Sequence, residues 1–153
     1  MTSKIACVVI DATDPRALAL FWQEVLGWEV VEDDGTGVSL AARGTRMPAL
    51  DILRVPEVKA GKNRLHIDLR ADGSTTAAEL ERLLALGARR VDVGQAPDAT
   101  WVVLADPEGN EFCLLGRSVQ ELEAEPGRPG CESPVTACEG TGEACHDRTG
   151  GGR

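Results

Sequence analysis

The sequence predicts an α+β fold: two βαβββ modules forming an open curled sheet with a concave cleft. Three observations carry this. Apolar residues alternate at strand spacing in eight short runs and recur at helical spacing in two longer ones. The order strand, helix, three strands occurs twice. The two halves also superpose: Gly27 falls on Gly87, Asp51 on Glu111 and Leu53 on Cys113, each sixty residues apart, and Cys7 on His66 at fifty-nine.

In the first half, "KIACVVIDA" reads as a strand. Asp14-Pro15 then starts a helix, the aspartate as N-cap and the proline at the first helical position. Leu18, Phe21, Trp22 and Val25 form its apolar stripe, and Gly27 ends it. "WEVVED", "GVSLAA" and "ALDILRV" are strands between Gly- and Pro-containing turns. "VPEVKAGKN" links the halves, and its Lys59 and Lys62 read as solvated.

The second half opens with "RLHIDLRA", a clean alternation. "STTAAELERLLALG" is a helix, with Thr76 and Glu79 as a capping box and Leu80, Leu83 and Leu84 facing inward. "RRVDVG", "TWVVLA" and "EFCLLG" are strands. "DPEGN" between the last two is a hairpin turn, with Pro107 at the second turn position and Gly109 in a left-handed conformation.

Composition sets the boundaries. Residues 1–117 carry apolar periodicity throughout and read as one domain. Residues 118–153 are acidic and rich in Gly and Pro, with few large apolar groups, and read as a disordered tail after a short helix at "SVQELEAE". The tail cysteines Cys131, Cys138 and Cys145 fall every seventh residue, too far apart for usual zinc-ligand pairs. An odd total of five cysteines and no signal-peptide pattern argue for a cytoplasmic protein without a disulfide framework. The net charge of −9 disfavours nucleic acid and anionic membrane as partners. No apolar run approaches the roughly 20 residues of a membrane span.

Strand parity points to a site. One parity of the first and last strands is apolar: Val8, Ile10, Leu50, Ile52, Leu65, Ile67, Leu69, Phe112 and Leu114. It should pack under the helices. The other parity is mixed: Cys7, Val9, Asp51, Leu53, His66, Asp68, Glu111 and Cys113. A dry core would not tolerate an unpaired Glu111, so this parity should line the cleft. His66 and Glu111 are the candidate catalytic pair, and Cys7, Asp51, Leu53, Asp68, Trp101 and Cys113 the candidate ligand-binding residues. Cys7, His66 and Cys113, with Glu111 or water as fourth ligand, have the stoichiometry of a catalytic zinc site.

"FWQEVLGWEVV" after a "DP" helix start, "GKNRLHIDLRA" and "DPEGNEFCLL" resemble the vicinal-oxygen-chelate superfamily, within it the glyoxalase-like and bleomycin-resistance-type proteins. The resemblance spans residues 4–117. It implies paired βαβββ modules around a U-shaped cleft, dimerisation, and in the metalloenzymes a divalent metal (Zn, Ni, Fe or Mn) held at first- and last-strand positions. Here those positions are Cys7, Leu53, His66 and Cys113, of which only His66 is a standard ligand. Two functions follow as expectations. One is a protein that binds a small, partly apolar molecule in the cleft. The other is a metal-dependent lyase, isomerase or dioxygenase using His66 and Glu111. The incomplete ligand set argues against the well-known glyoxalase reaction.

Overall fold

A computed structural model describes residues 2–124, so the tail from residue 125 on, with its three cysteines, lies outside the described residues. The first module comprises β1 (Cys7–Ala12), α1 (Pro15–Leu26), β2 (Glu29–Asp33), β3 (Gly37–Ala41) and β4 (Ala49–Arg54). The second comprises β5 (Asp68–Leu69), α2 (Thr76–Ala85), β6 (Arg89–Arg90), β7 (Trp101–Ala105) and β8 (Glu111–Leu115), and α3 (Val119–Glu123) follows. The sheets have matching orders, β1-β4-β3-β2 and β5-β8-β7-β6. In each, the first strand runs parallel to the last.

The local signals act as the sequence suggests at α1. The Asp14 side chain accepts the Ala17 N–H, Pro15 starts the helix, and Gly27 terminates it at φ 63°. At α2 the cap sits one residue earlier than expected: Thr75 accepts the Ala78 N–H, and Glu79 pairs with Arg82 at 2.7 Å rather than closing a capping box. A capping box does form at α3, between Ser118 and Glu121.

Two strands are shorter than their patterns. The "RLHIDLRA" run pairs with β8 only at Asp68–Leu69, because the upstream Asn63 N–H goes to the Glu111 carboxylate at 3.0 Å instead of to a strand. The "RRVDVG" run pairs in register at Arg89–Arg90 and makes one further bond, from the Val91 N–H to the Val103 carbonyl. Beyond it, Asp92 accepts the Gly94 N–H and Gln95 accepts the Val93 N–H, turning the chain over the sheet.

One core joins the modules. Leu18, Phe21, Trp22 and Val25 of α1 pack with Leu40, Leu50, Ile52, Leu83, Leu104, Phe112 and Leu114. Phe21, Trp22 and Phe112 meet edge to face, the two α1 rings at 6.1 and 5.2 Å from Phe112. The first module's helix therefore packs on the second module's last strand.

The parity expectation needs correcting at both faces. Val8 and Leu65, placed under the helices by pattern, are 42% and 86% exposed. Cys113, placed in an open cleft, is 3% exposed. The turn beyond β6 lays Val91 and Val93 over that face, closing Val103, Cys113, Leu115 and Trp101 into a second apolar cluster.

Candidate functional site

Between the modules lies a cavity of about 780 Å³. Volumes of about 300–1,000 Å³ are usual for small-molecule sites. One wall is β1, from Val8 to Asp11. The other is the segment from Asn63 to Ile67, which bends at Arg64 and Leu65. Val55, Val58 and Lys59 close one side, and Trp22, Glu108, Asn110 and Glu111 are also at its surface.

Glu111 begins β8 and is largely buried. Lys59 Nζ lies 2.9 Å from its Oε2, with both side chains mostly withdrawn from solvent. Asn63 brackets the same carboxylate. Its backbone N–H donates at 3.0 Å, and its side-chain amide, in the orientation that satisfies both groups, donates to Oε2 and accepts the Glu111 N–H, each at 3.3 Å. Burial pushes the Glu111 carboxyl up, but Lys59 and the backbone N–H groups of Asn63 and Glu111 outweigh it and hold it below the usual range. It is thus an ionised, fully engaged carboxylate, a poor proton acceptor near neutral pH. Lys59 is not the solvated residue the linker suggested.

His66 stands exposed on the same wall. Lys62 Nζ lies 2.9 Å from its Nε2.

The "DPEGN" turn forms the base of the cavity. Asp106 is fully buried. It accepts the Glu108 N–H at 3.0 Å, the Asn110 N–H at 2.9 Å, the Asn110 amide at 3.0 Å and Trp22 Nε1–H at 3.2 Å. Burial pushes its carboxyl up, and these donors pull it only part of the way back. Glu108 reaches across to the first module: it accepts Thr13 Oγ1–H at 2.8 Å and the Asp14 N–H at 2.9 Å. Burial raises the Glu108 carboxyl, but the donors from Asp14 and Thr13 hold it below the usual range. A carboxylate at the start of α1 also suits the helix dipole.

Of the eight residues singled out by sequence, only His66 and Glu111 line this cavity. Cys7 and Asp51 meet on the sheet face that Val9 and Asp11 share, outside the cavity lining, where a hydrogen bond to Asp51 chiefly raises the Cys7 thiol. Leu53 is exposed there. Asp68 pairs in register with Cys113, whose thiol is pushed up to about 12 by burial and by Asp68. Trp101 packs on Val103 and Cys113.

This donor set does not fit a divalent metal. Among the described residues, no three His, Cys, Asp or Glu side chains are grouped to hold one. Leu53 has no donor atom, Cys113 stays protonated, Glu111 is neutralised by Lys59, and His66 Nε2 is taken up by Lys62.

Sequence reasoning missed Lys59, Asn63, Asn110 and Glu108. Chain order held a signal for the first two. The linker "VKAGKN" runs directly into the second module's first strand, which lies beside the last, so it must pass the start of β8.

Two βαβββ units with parallel first and last strands, sharing one core and framing a cleft, define the class of paired-module cleft proteins. Within that class the chain belongs to the glyoxalase-like domain family, whose sequence profile matches residues 7–115. No curated protein matches the sequence. Among solved structures, the chain is similar to a glyoxalase/bleomycin resistance protein/dioxygenase family enzyme from Burkholderia phytofirmans, at 21% identity and a TM-score of 0.57, covering 73% of this chain and 97% of that one. It is similar to a variant of the fosfomycin resistance protein FosX from Listeria monocytogenes, complexed with Mn(II) and a dihydroxypropylphosphonic acid, at 15% identity and 0.59, covering 79% and 95%. It is also similar to TnmS3, an antibiotic binding protein from a Streptomyces species, at 21% and 0.53, covering 74% and 95%. At these identities the likeness shows the fold alone. No helix among the described residues is long and apolar enough to cross a membrane.

Proposed function

We propose that this protein binds a small, partly apolar molecule, without a metal, in the cavity between β1 and Asn63–Ile67. The carrying observation is the lining. Val8, Val9, Val58 and Leu65 are large apolar groups left 42% or more exposed, and all four line the same cavity. Isolated exposed apolar groups are ordinary, but a contiguous set in a concavity is a binding surface. Glu111, fixed by Lys59 and Asn63, and the His66 imidazole supply the polar contacts. The similarity to an antibiotic binding protein agrees with this reading.

A neutral naphthalene ketone dye such as prodan tests it by fluorescence titration. The dye should bind one to one, unaffected by a chelator. Val9→Trp, at an exposed strand position, should fill the space and weaken binding at least tenfold, about 1.4 kcal/mol. Binding that needs added Mn(II) or Zn(II), or that ignores Val9→Trp, contradicts the proposal. We further propose a cytoplasmic homodimer, from the open sheet edges and exposed Val30 and Val31 of the outer strand β2. A sedimentation profile of strict monomer at high micromolar concentration would count against it.

A further inference from the structure

The ladder pattern of the two sheets shows which backbone groups reach the cavity. In a parallel pair, alternate residues address the neighbouring strand. The Ala49 N–H bonds the Ala6 carbonyl and the Val55 N–H bonds the Ala12 carbonyl. With Cys7 in register with Ala49, the residues facing β4 are therefore Ala6, Val8, Ile10 and Ala12. The N–H and C=O groups of Val9 and Asp11 point the other way. β1 ends its sheet, so among the described residues no strand receives them.

The opposite wall leads into the second sheet. The Cys113 N–H bonds the Ile67 carbonyl, so Ile67 addresses β8, and His66 precedes it outside β5. Val9, Asp11 and His66 all line the cavity. The open edge of β1 thus flanks the apolar space, with His66 of the other module across it.

We infer that the cavity recognises an extended, amide-bearing molecule, a short peptide or a peptide-like compound, which adds a strand against β1 with His66 opposite. This rests on the reading of the cavity as a ligand site and names the ligand's chemistry. An unpaired strand edge offers donors and acceptors at fixed spacing, which a rigid aromatic cannot match and an extended amide chain can. The four residues from Val8 to Asp11 make an edge of about 13 Å at roughly 3.3 Å per residue, long enough for about four residues of ligand. Alternate ligand side chains would meet Val58 and Leu65. The others would meet Asp11, Glu57 and Glu108, whose charges no basic group pairs among the described residues. Apolar residues alternating with basic ones suit that lining.

The probe is the N-acetylated, C-amidated tetrapeptide Val-Lys-Val-Lys, titrated by calorimetry beside the neutral dye. Val9→Pro removes a single N–H that faces the cavity and leaves the β1–β4 bonds intact, as proline is tolerated on an edge strand. Val9→Ala controls for the lost side chain. The tetrapeptide should bind one to one. Val9→Pro should weaken it at least tenfold with a thermal midpoint close to that of Val9→Ala, and Val9→Ala should weaken it much less. A peptide methylated on its amide nitrogens should also lose at least tenfold. Equal binding of methylated and plain peptides, or of the Pro and Ala variants, overturns the inference. So does conversion of a dimer to a monomer by Val9→Pro, which would make the edge's occupant a second copy of the chain. If the dye binds and the tetrapeptide does not, this inference fails alone. If neither binds, the ligand-site reading fails with it.

Discussion

Asp106→Asn isolates the contact that ties the second module's turn to the first module's helix. The substitution preserves size. The carbonyl of the introduced amide can keep the donors now on Oδ1, namely the Glu108 N–H, the Asn110 N–H and one Asn110 amide contact. The new NH₂ then occupies the place of Oδ2, facing Trp22 Nε1–H and the Asn110 amide, donor against donor. Trp22 is 1% exposed, so water cannot replace the lost acceptor. An orphaned buried donor costs about 1–3 kcal/mol, and a hydrogen bond to a charged group sits in the upper part of that range. Relief from burying a charge offsets some of this, leaving a loss of about 2 kcal/mol. For a domain of this size that is roughly 6–10 °C in thermal midpoint. Differential scanning calorimetry on the parent, Asp106→Asn, Trp22→Phe and the double variant measures it. The second substitution should cost at least about 1 kcal/mol less in the Asp106→Asn background than in the parent. Additive losses, or an unchanged midpoint for Asp106→Asn, would refute the reasoning.

Glu111→Gln leaves Lys59 partly buried without its partner; it should cost about 1–2 kcal/mol by urea denaturation, discounted from the fully buried case for the pair's remaining exposure. It should also weaken dye binding, while Lys59→Met combined with Glu111→Gln restores most of the stability. Glu108 has a folded-state pKa below its unfolded value, so its contribution to stability is present above the unfolded pKa and lost as pH falls through the folded one. Urea curves should accordingly show the parent ahead of Glu108→Gln at pH 7, with the gap closing below about pH 4. Cys113, buried and pushed up to about 12, should resist iodoacetamide at pH 8 until the protein is unfolded. Cys7, raised by Asp51, should alkylate more slowly than a free thiol, and peptide mass spectrometry resolves the two.

The elements with strong local chemistry were legible in the sequence. Asp14-Pro15 and Gly27 bound α1 as their capping roles dictate, and the sixty-residue repeat corresponds to two sheets of matching strand order. What pattern could not show is which strand face another segment covers. Val91 and Val93 alternate like strand residues, yet the chain leaves the ladder after Val91, held by Asp92 and Gln95, and both valines pack against the cluster that includes Cys113. Period-two alternation is blind to such a fold-back. The site was half legible for the same reason. Parity found His66 and Glu111, whereas Asn63 and Glu108 act through contacts 48 and 95 residues apart, and Lys59 through one equally remote in sequence, which no local spacing encodes. Trp22 reads as core from its stripe, and it is core, but its indole N–H also anchors the turn below the cavity.

We propose above all that the ligand site lies between β1 and the Asn63–Ile67 segment and is not centred on Cys7, Asp51 and Leu53 farther across the same sheet. Amide chemical-shift mapping by nuclear magnetic resonance during titration with the neutral dye tests this most directly. The account requires the largest saturable shifts at Val8–Asp11, Asn63–Ile67 and Glu111, with and without chelator. Shifts centred on Cys7, Asp51, Leu53 and Ser39, or appearing only when a divalent metal is added, would contradict it.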